Sequence, residues 1–271
     1  MRARVNAFAI AALCLAALMP TAGQTKTLPY DHIHLNVPDP AAGANWYEKY
    51  FGGKRITEAP DRLMFGSTRF MFLRKADATP SAGSAIDHVG LSVANLDATL
   101  KTLTEAGVKV TSPRRDVEKL FPIAFVEDPW GTRIEVVEDR ELLGLHHVHL
   151  RGPDPEEVFT WLLDKFGGER TKLKGQIDAV KYSADGFSTV WILVTRGEAQ
   201  PSLGHAIDHI GWRSNGLNDT VAELKSKGVT VTAEPRPLTL PNGPPINFSY
   251  VAGPAGARIE LVERPGLKPG Q

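Results

Sequence analysis

The feature that most constrains this chain is repetition: one succession of strand, helix and hairpin occurs twice, and inside each copy it occurs twice again. Residues 31–40, DHIHLNVPDP, return at 146–155 as HHVHLRGPDP, and WYEKYFGG at 46–53 returns as WLLDKFGG at 161–168. AIDHVG at 85–90 returns as AIDHIG at 206–211, and DPWGTRIEVVE at 128–138 as GPAGARIELVE at 253–263. The order is kept and the spacing drifts only slowly, as loop insertions would make it do. The chain is therefore two copies of one design.

Within each copy, DHIHLNV and DHVGLSV alternate apolar and polar residues as half-buried strands do, and each is followed by a pattern of helical period. The helical stretches ANWYEKYFGG, LDATLKTLTEAGV, EEVFTWLLDKFGG and LNDTVAELKSKGV close at Gly52, Gly107, Gly167 and Gly228. Glycine there permits the left-handed backbone that ends a helix. Strand-like segments such as RFMFLR, IAFVE and RIEVVE come next. The reading is an α+β chain of four βαβββ modules, near residues 30–75, 85–139, 145–196 and 206–263. Polar linkers at Ala76–Ser84 and Arg196–Gly204 are read as joining modules within a pair, and Asp139–Gly144 as joining the pairs. The expected domains are thus residues 24–140 and 141–271, each a contiguous pair of modules.

Residues 1–23 read as an export signal: Arg2 and Arg4 precede an apolar run from Val5 to Leu18, and Thr21 and Gly23 supply small residues before a cut at Gln24. The run is shorter than the roughly 20 residues that span a bilayer. The chain's one cysteine, Cys14, lies inside it, so the mature chain has no thiol and no disulfide. Cleavage removes two arginines and no acid, leaving a slight acidic excess that argues against nucleic acid or an anionic membrane as partner. A small molecule is the expected partner of a periplasmic or secreted protein.

A strand reading H-x-x-L-x-V followed by Pro-Asp or Asn-Leu-Asp, a helix ending in FGG or GV, and a closing D-P-x-G-x-x-I-E hairpin resemble the vicinal oxygen chelate superfamily of glyoxalases, bleomycin-resistance proteins and extradiol dioxygenases. The likeness extends over nearly the whole mature chain. It implies paired modules curled around a pocket, with metal ligands from first and last strands. Carried over by position, the ligands fall on His32, His88 and Glu135 in the first pair and on His147, His209 and Glu260 in the second. Such a set with open positions suits Fe(II) or Mn(II), and Zn(II) or Ni(II) can also occupy it. A lone strand histidine is more often a hydrogen-bonded core residue; recurrence of the whole set is what favours ligation.

His34 and His149 lie two residues beyond the ligand positions, on the same strand face, and are read as proton-transfer groups, against the alternatives of neutral histidines packed in the sheet or true ligands that exchange roles with their neighbours. By the same alternation Asp31, Asp87 and Asp208 face away, at the strand edge or behind the ligands, and His146 is expected at the surface. The glyoxalase branch uses a further acidic or amide ligand where this chain has Phe72 and, near there in the second copy, Leu193; Glu48 and Glu58 are read as surface acids. Core filling is the expected role of the tryptophans, with Trp130 and Trp212 placed where a ring-shaped ligand is within reach. The proline-rich stretch 235–245 is read as a lid or a stiff surface loop. These residues lead to a metal-dependent dioxygenase on a catechol-like or keto-acid substrate, with a glyoxalase-like lyase or isomerase, or a sequestering protein, as the alternatives.

Overall fold

The computed structural model describes residues 25–56, 59–239 and 244–269. The expected export segment, Glu58 and part of the 235–245 loop lie outside them. Module one comprises β1 (Tyr30–Val37), α1 (Pro40–Phe51), β2 (Lys54–Ile56), β3 (Ala59–Phe65) and β4 (Thr68–Arg74). Module two has β5 (Ile86–Ser92), α2 (Leu96–Glu105), β6 (Lys109–Arg115), β7 (Ile123–Glu127) and β8 (Arg133–Val137). Module three has β9 (Gly144–Gly152), α3 (Pro155–Phe166), β10 (Glu169–Leu173), β11 (Ile177–Tyr182) and β12 (Val190–Arg196). Module four has β13 (Ile207–Arg213), α4 (Leu217–Ser226), β14 (Val231–Leu238), β15 (Ile246–Ala252) and β16 (Arg258–Glu263).

The helices begin and end where local chemistry directs. Asp39 and Asp154 cap α1 and α3 by accepting from the backbone N–H of Ala41 and Glu156, each with proline in the first turn. Gly52, Gly107, Gly167 and Gly228 all have positive φ, as their terminating role requires.

The strands form two eight-stranded sheets, ordered β14-β15-β16-β13-β1-β4-β3-β2 and β10-β11-β12-β9-β5-β8-β7-β6. Module one therefore shares a sheet with module four, and module two with module three. This corrects the contiguous domains 24–140 and 141–271: the vicinal-oxygen-chelate-type units are nested, an inner pair inside an outer one. The short Asp139–Gly144 turn joins modules of one sheet, and the two longer linkers cross between sheets, side by side, through bridges Thr79 to His205 and Ser84 to Gln200.

The faces of β1, β5, β9 and β13 that carry Ile33, Val89, Val148 and Ile210 meet the helices in one apolar core drawn from all four modules. A fully buried aliphatic side chain there stabilises the fold by about 1.5–3 kcal/mol. Trp212 stacks on Phe166 within it, at 4.7 Å between ring centroids, and so is core rather than pocket. Trp130 lies beside Trp46. Among the described residues no helix is long and apolar enough to cross a membrane.

Candidate metal centres

The opposite face of each sheet gathers polar groups, and strand register brings them together. In the outer pair, His34 lies opposite Met71 on one side and His209 on the other, while His32 lies opposite Gly211, which in turn faces Glu260. In the inner pair, His149 lies between Leu193 and His88, and His147 lies opposite Gly90, which faces Glu135. The result is two matching clusters, His32–His34–His209–Glu260 and His88–Glu135–His147–His149, whose donor atoms lie within 4.8 Å of one another.

Gly211 and Gly90 make these clusters possible. A Cβ on Gly211 would stand 2.1 Å from the His32 ring, and one on Gly90 would stand 2.1 Å from the His147 ring. Each module thus contributes either a second histidine or the glycine that admits its partner's ring.

A register shift falls beside the candidate ligand histidine in every module, at Asp31, Asp87, His146 and Asp208. An extra residue in the ladder breaks the alternation of faces and re-aims its side chain. Asp31 accepts from His32 Nδ1 at 2.8 Å, Asp87 from His88 Nδ1 at 2.7 Å, and Asp208 from His209 Nδ1 at 2.6 Å. Such contacts fix the ring and leave Nε2 for the centre. Arg133 and Arg258 in turn hold Asp87 and Asp208, each at 2.6 Å. In module three His146 takes this place, with its Nδ1 2.9 Å from His147 Nδ1 and its Nε2 3.3 Å from Asp139. The surface position expected for His146 is therefore wrong, because the bulge turns a solvent-facing register inward.

The electrostatics favour a charged carboxylate among imidazoles. Glu260 Oε2 lies 2.9 Å from His209 Nε2 and 3.5 Å from His32 Nε2; Glu135 Oε2 lies 3.1 Å from both His88 and His147. Burial works against both carboxylates, but the flanking histidines outweigh it and hold them well below the ordinary range. Burial likewise opposes charge on His32 and His88, yet Glu260 and Asp31 for the one, and Asp87 and Glu135 for the other, raise them. For His34 and His149, burial and the neighbouring imidazoles act together and push both well below the ordinary value. Burial and His147 lower His146 to about 4.

The residues fit a divalent cation. Three neutral-capable imidazoles and one carboxylate are donors of the right kind. His32 Nε2, His34 Nδ1 and His149 Nδ1 are buried without a hydrogen-bond partner, a costly state that a bound cation would relieve. All six predicted ligands lie in the clusters, but regrouped: His32 shares a site with His209 and Glu260, and His147 with His88 and Glu135. His34 and His149 stand inside the donor groups rather than behind them. Phe72 packs against Tyr47 and Gly43 on the helix side, so the residue of β4 that faces the centre is its neighbour Met71, with Sδ 3.3 Å from His34 Nε2. Leu193 does face the inner-pair centre, opposite His149.

Paired βαβββ modules that close on three-histidine, one-glutamate clusters have the vicinal-oxygen-chelate fold. Residues 30–136 match the model of the Glyoxalase/Bleomycin resistance protein/Dioxygenase superfamily. Glyoxalase I from Zea mays is 19% identical with a TM-score of 0.68, over 88% of this chain and 92% of that one. A putative dioxygenase from Bacillus subtilis is 21% identical with a TM-score of 0.62, over 89% and 86%. At such identities the likeness is one of fold. Comparison with curated proteins gives no match.

Proposed function

We propose that the protein is an exported, divalent-metal-dependent dioxygenase acting on a small catechol-like or keto-acid substrate, with Fe(II) or Mn(II) as the working metal. The observation that carries the reading is the convergence of three imidazoles and one carboxylate to within 4.8 Å, twice in one chain. Four protein donors leave a six-coordinate cation two places, which suits two neighbouring substrate oxygens. The metal, when bound, lowers the pKa of those oxygens and holds them for reaction.

The chain's own groups favour oxygen chemistry over proton shuttling. Glu135 and Glu260 are each held by two histidines and kept well below the ordinary carboxylate range, which makes them weak bases. The facing strands present Met71 and Leu193, which accept no proton. The second reading, a glyoxalase-like lyase or isomerase using Zn(II) or Ni(II), is favoured by the fold shared with glyoxalase I.

Anaerobic loading of the mature protein with Fe(II), then oxygen uptake across a catechol and keto-acid panel, tests this. Substrate-dependent uptake is expected. No uptake together with isomerisation of a hemithioacetal installs the second reading, and tight ligand binding without turnover makes the protein a sequestering one. Export rests on Arg2, Arg4 and the Val5–Leu18 run. Mass spectrometry of the native protein is expected to give a chain beginning at or near Gln24, and an intact Met1 would remove this part of the proposal.

A further inference from the structure

The two centres have the same donors but different walls. Beyond His34 and Met71, the next strand of the outer pair places Arg62 opposite Met71. At the matching position of the inner pair, opposite Leu193, stands Ala179. Beside the glutamates, Tyr250 faces Glu260 where Phe125 faces Glu135. The inner-pair centre is thus walled by Phe125, Leu193 and Ala179, part of an apolar cluster with Phe121, Ile123 and Leu173.

Arg62 is a cation set aside in this wall. Its side chain is 18% exposed, and its ion-pair partner among the described residues is Asp61, at 3.6 Å and itself 46% exposed. That pair is long and solvated, so it contributes little to holding the guanidinium. Burial lowers the Arg62 pKa, with Glu260 among the charges acting on it, and Arg62 in turn acts on His34, which places the group within electrostatic reach of the centre. A partly desolvated guanidinium beside a metal centre is a receptor for a carboxylate.

Resting on the proposed metal centres, we infer that Arg62 is a specificity-determining residue: the outer-pair centre takes a chelating substrate bearing a further carboxylate, and the inner-pair centre takes an uncharged, apolar one. The two sites of this chain therefore divide substrates by charge.

The test uses Zn(II), which supports no oxygen chemistry, and two isosteric probes, 3,4-dihydroxybenzoate and 3,4-dihydroxybenzamide. Both offer the same diol to the metal and differ only in the remote charge. The full mature chain is prepared with one centre disabled, by Glu135→Gln with His147→Ala or by Glu260→Gln with His32→Ala, and zinc content is measured beside probe affinity. With the outer-pair centre intact, the benzoate is expected to bind about tenfold or more tightly than the amide, a difference of about 1.4 kcal/mol. Arg62→Gln is expected to abolish that preference with zinc retained, Arg62→Lys to restore part of it, and Ala179→Arg to create it in the inner-pair centre. Unchanged preference in Arg62→Gln, or zinc held with neither probe bound, overturns the inference and leaves the metal centres standing. Failure to hold zinc in either single-centre protein overturns the proposed function and the inference with it.

Discussion

At the scale of single residues, Asp31 carries the largest burden. It is fully buried, accepts from His32, and is held by Arg69, Arg213 and Arg264 at 2.8–3.3 Å. Burial alone would raise its carboxyl; Arg264, His32 and Arg69 outweigh burial and keep it well below its ordinary value. One carboxylate thus aligns the His32 ring and pairs with guanidinium groups from β4, β13 and the segment after β16. Removing the charge would leave guanidinium groups buried and unpaired, at a cost of about 3–5 kcal/mol. Asp31→Asn is expected to lose that much stability in urea unfolding of the metal-free protein, and a loss below 1 kcal/mol would show that the arginines find other partners. His146, at the same place in module three, has no such cluster, so His146→Ala should cost less.

At the scale of elements, the β-bulge decides what each ligand strand presents. Asp87 and Asp208 do not touch the centre, yet they orient His88 and His209 through contacts of 2.7 and 2.6 Å. Asp87→Ala and Asp208→Ala are expected to weaken metal affinity about 10–100-fold at their own centre while leaving the donors in place. Competition against a chromophoric chelator measures this, and unchanged affinity would reduce the contacts to structural ones. The bulges also explain what the sequence conceals. Strand alternation and terminating glycines make the modules legible, because each pattern has a fixed period, and the family resemblance, not the period, marks the six candidate ligand positions. A bulge breaks that period by one residue, which is why Asp31 and Asp208 read as facing away and His146 as surface. The β1–β4 ladder has no bulge, but which β4 residue it sets opposite His34 is not fixed by the period of either strand, so Phe72 stands out in the sequence where Met71 faces the centre.

At the scale of the whole molecule, the pairing of modules was illegible because the repeat is too good. The ligand strand of module one, DHIHLNV, meets a histidine followed two residues later by glycine in both AIDHVG and AIDHIG, so each offers the space its rings need. Connection length decides: Asp139–Gly144 is a short turn that brings β9 against β5, and the outer modules are left to close on each other through β1 and β13. Nested pairing makes a prediction that contiguous pairing cannot share. His32 and Glu260 belong to one cluster in the nested arrangement, whereas contiguous pairing puts them in different ones. The full mature chain carrying His32→Ala and Glu260→Gln together is therefore expected to lose one metal and keep the other, still held by His88, Glu135, His147 and His149. The complementary pair, His32→Ala with Glu135→Gln, damages both clusters and is expected to weaken both. Native mass spectrometry of each variant after loading with Zn(II) reads the stoichiometry directly. If the first variant lost both metals and the second only one, the modules would pair in chain order in solution.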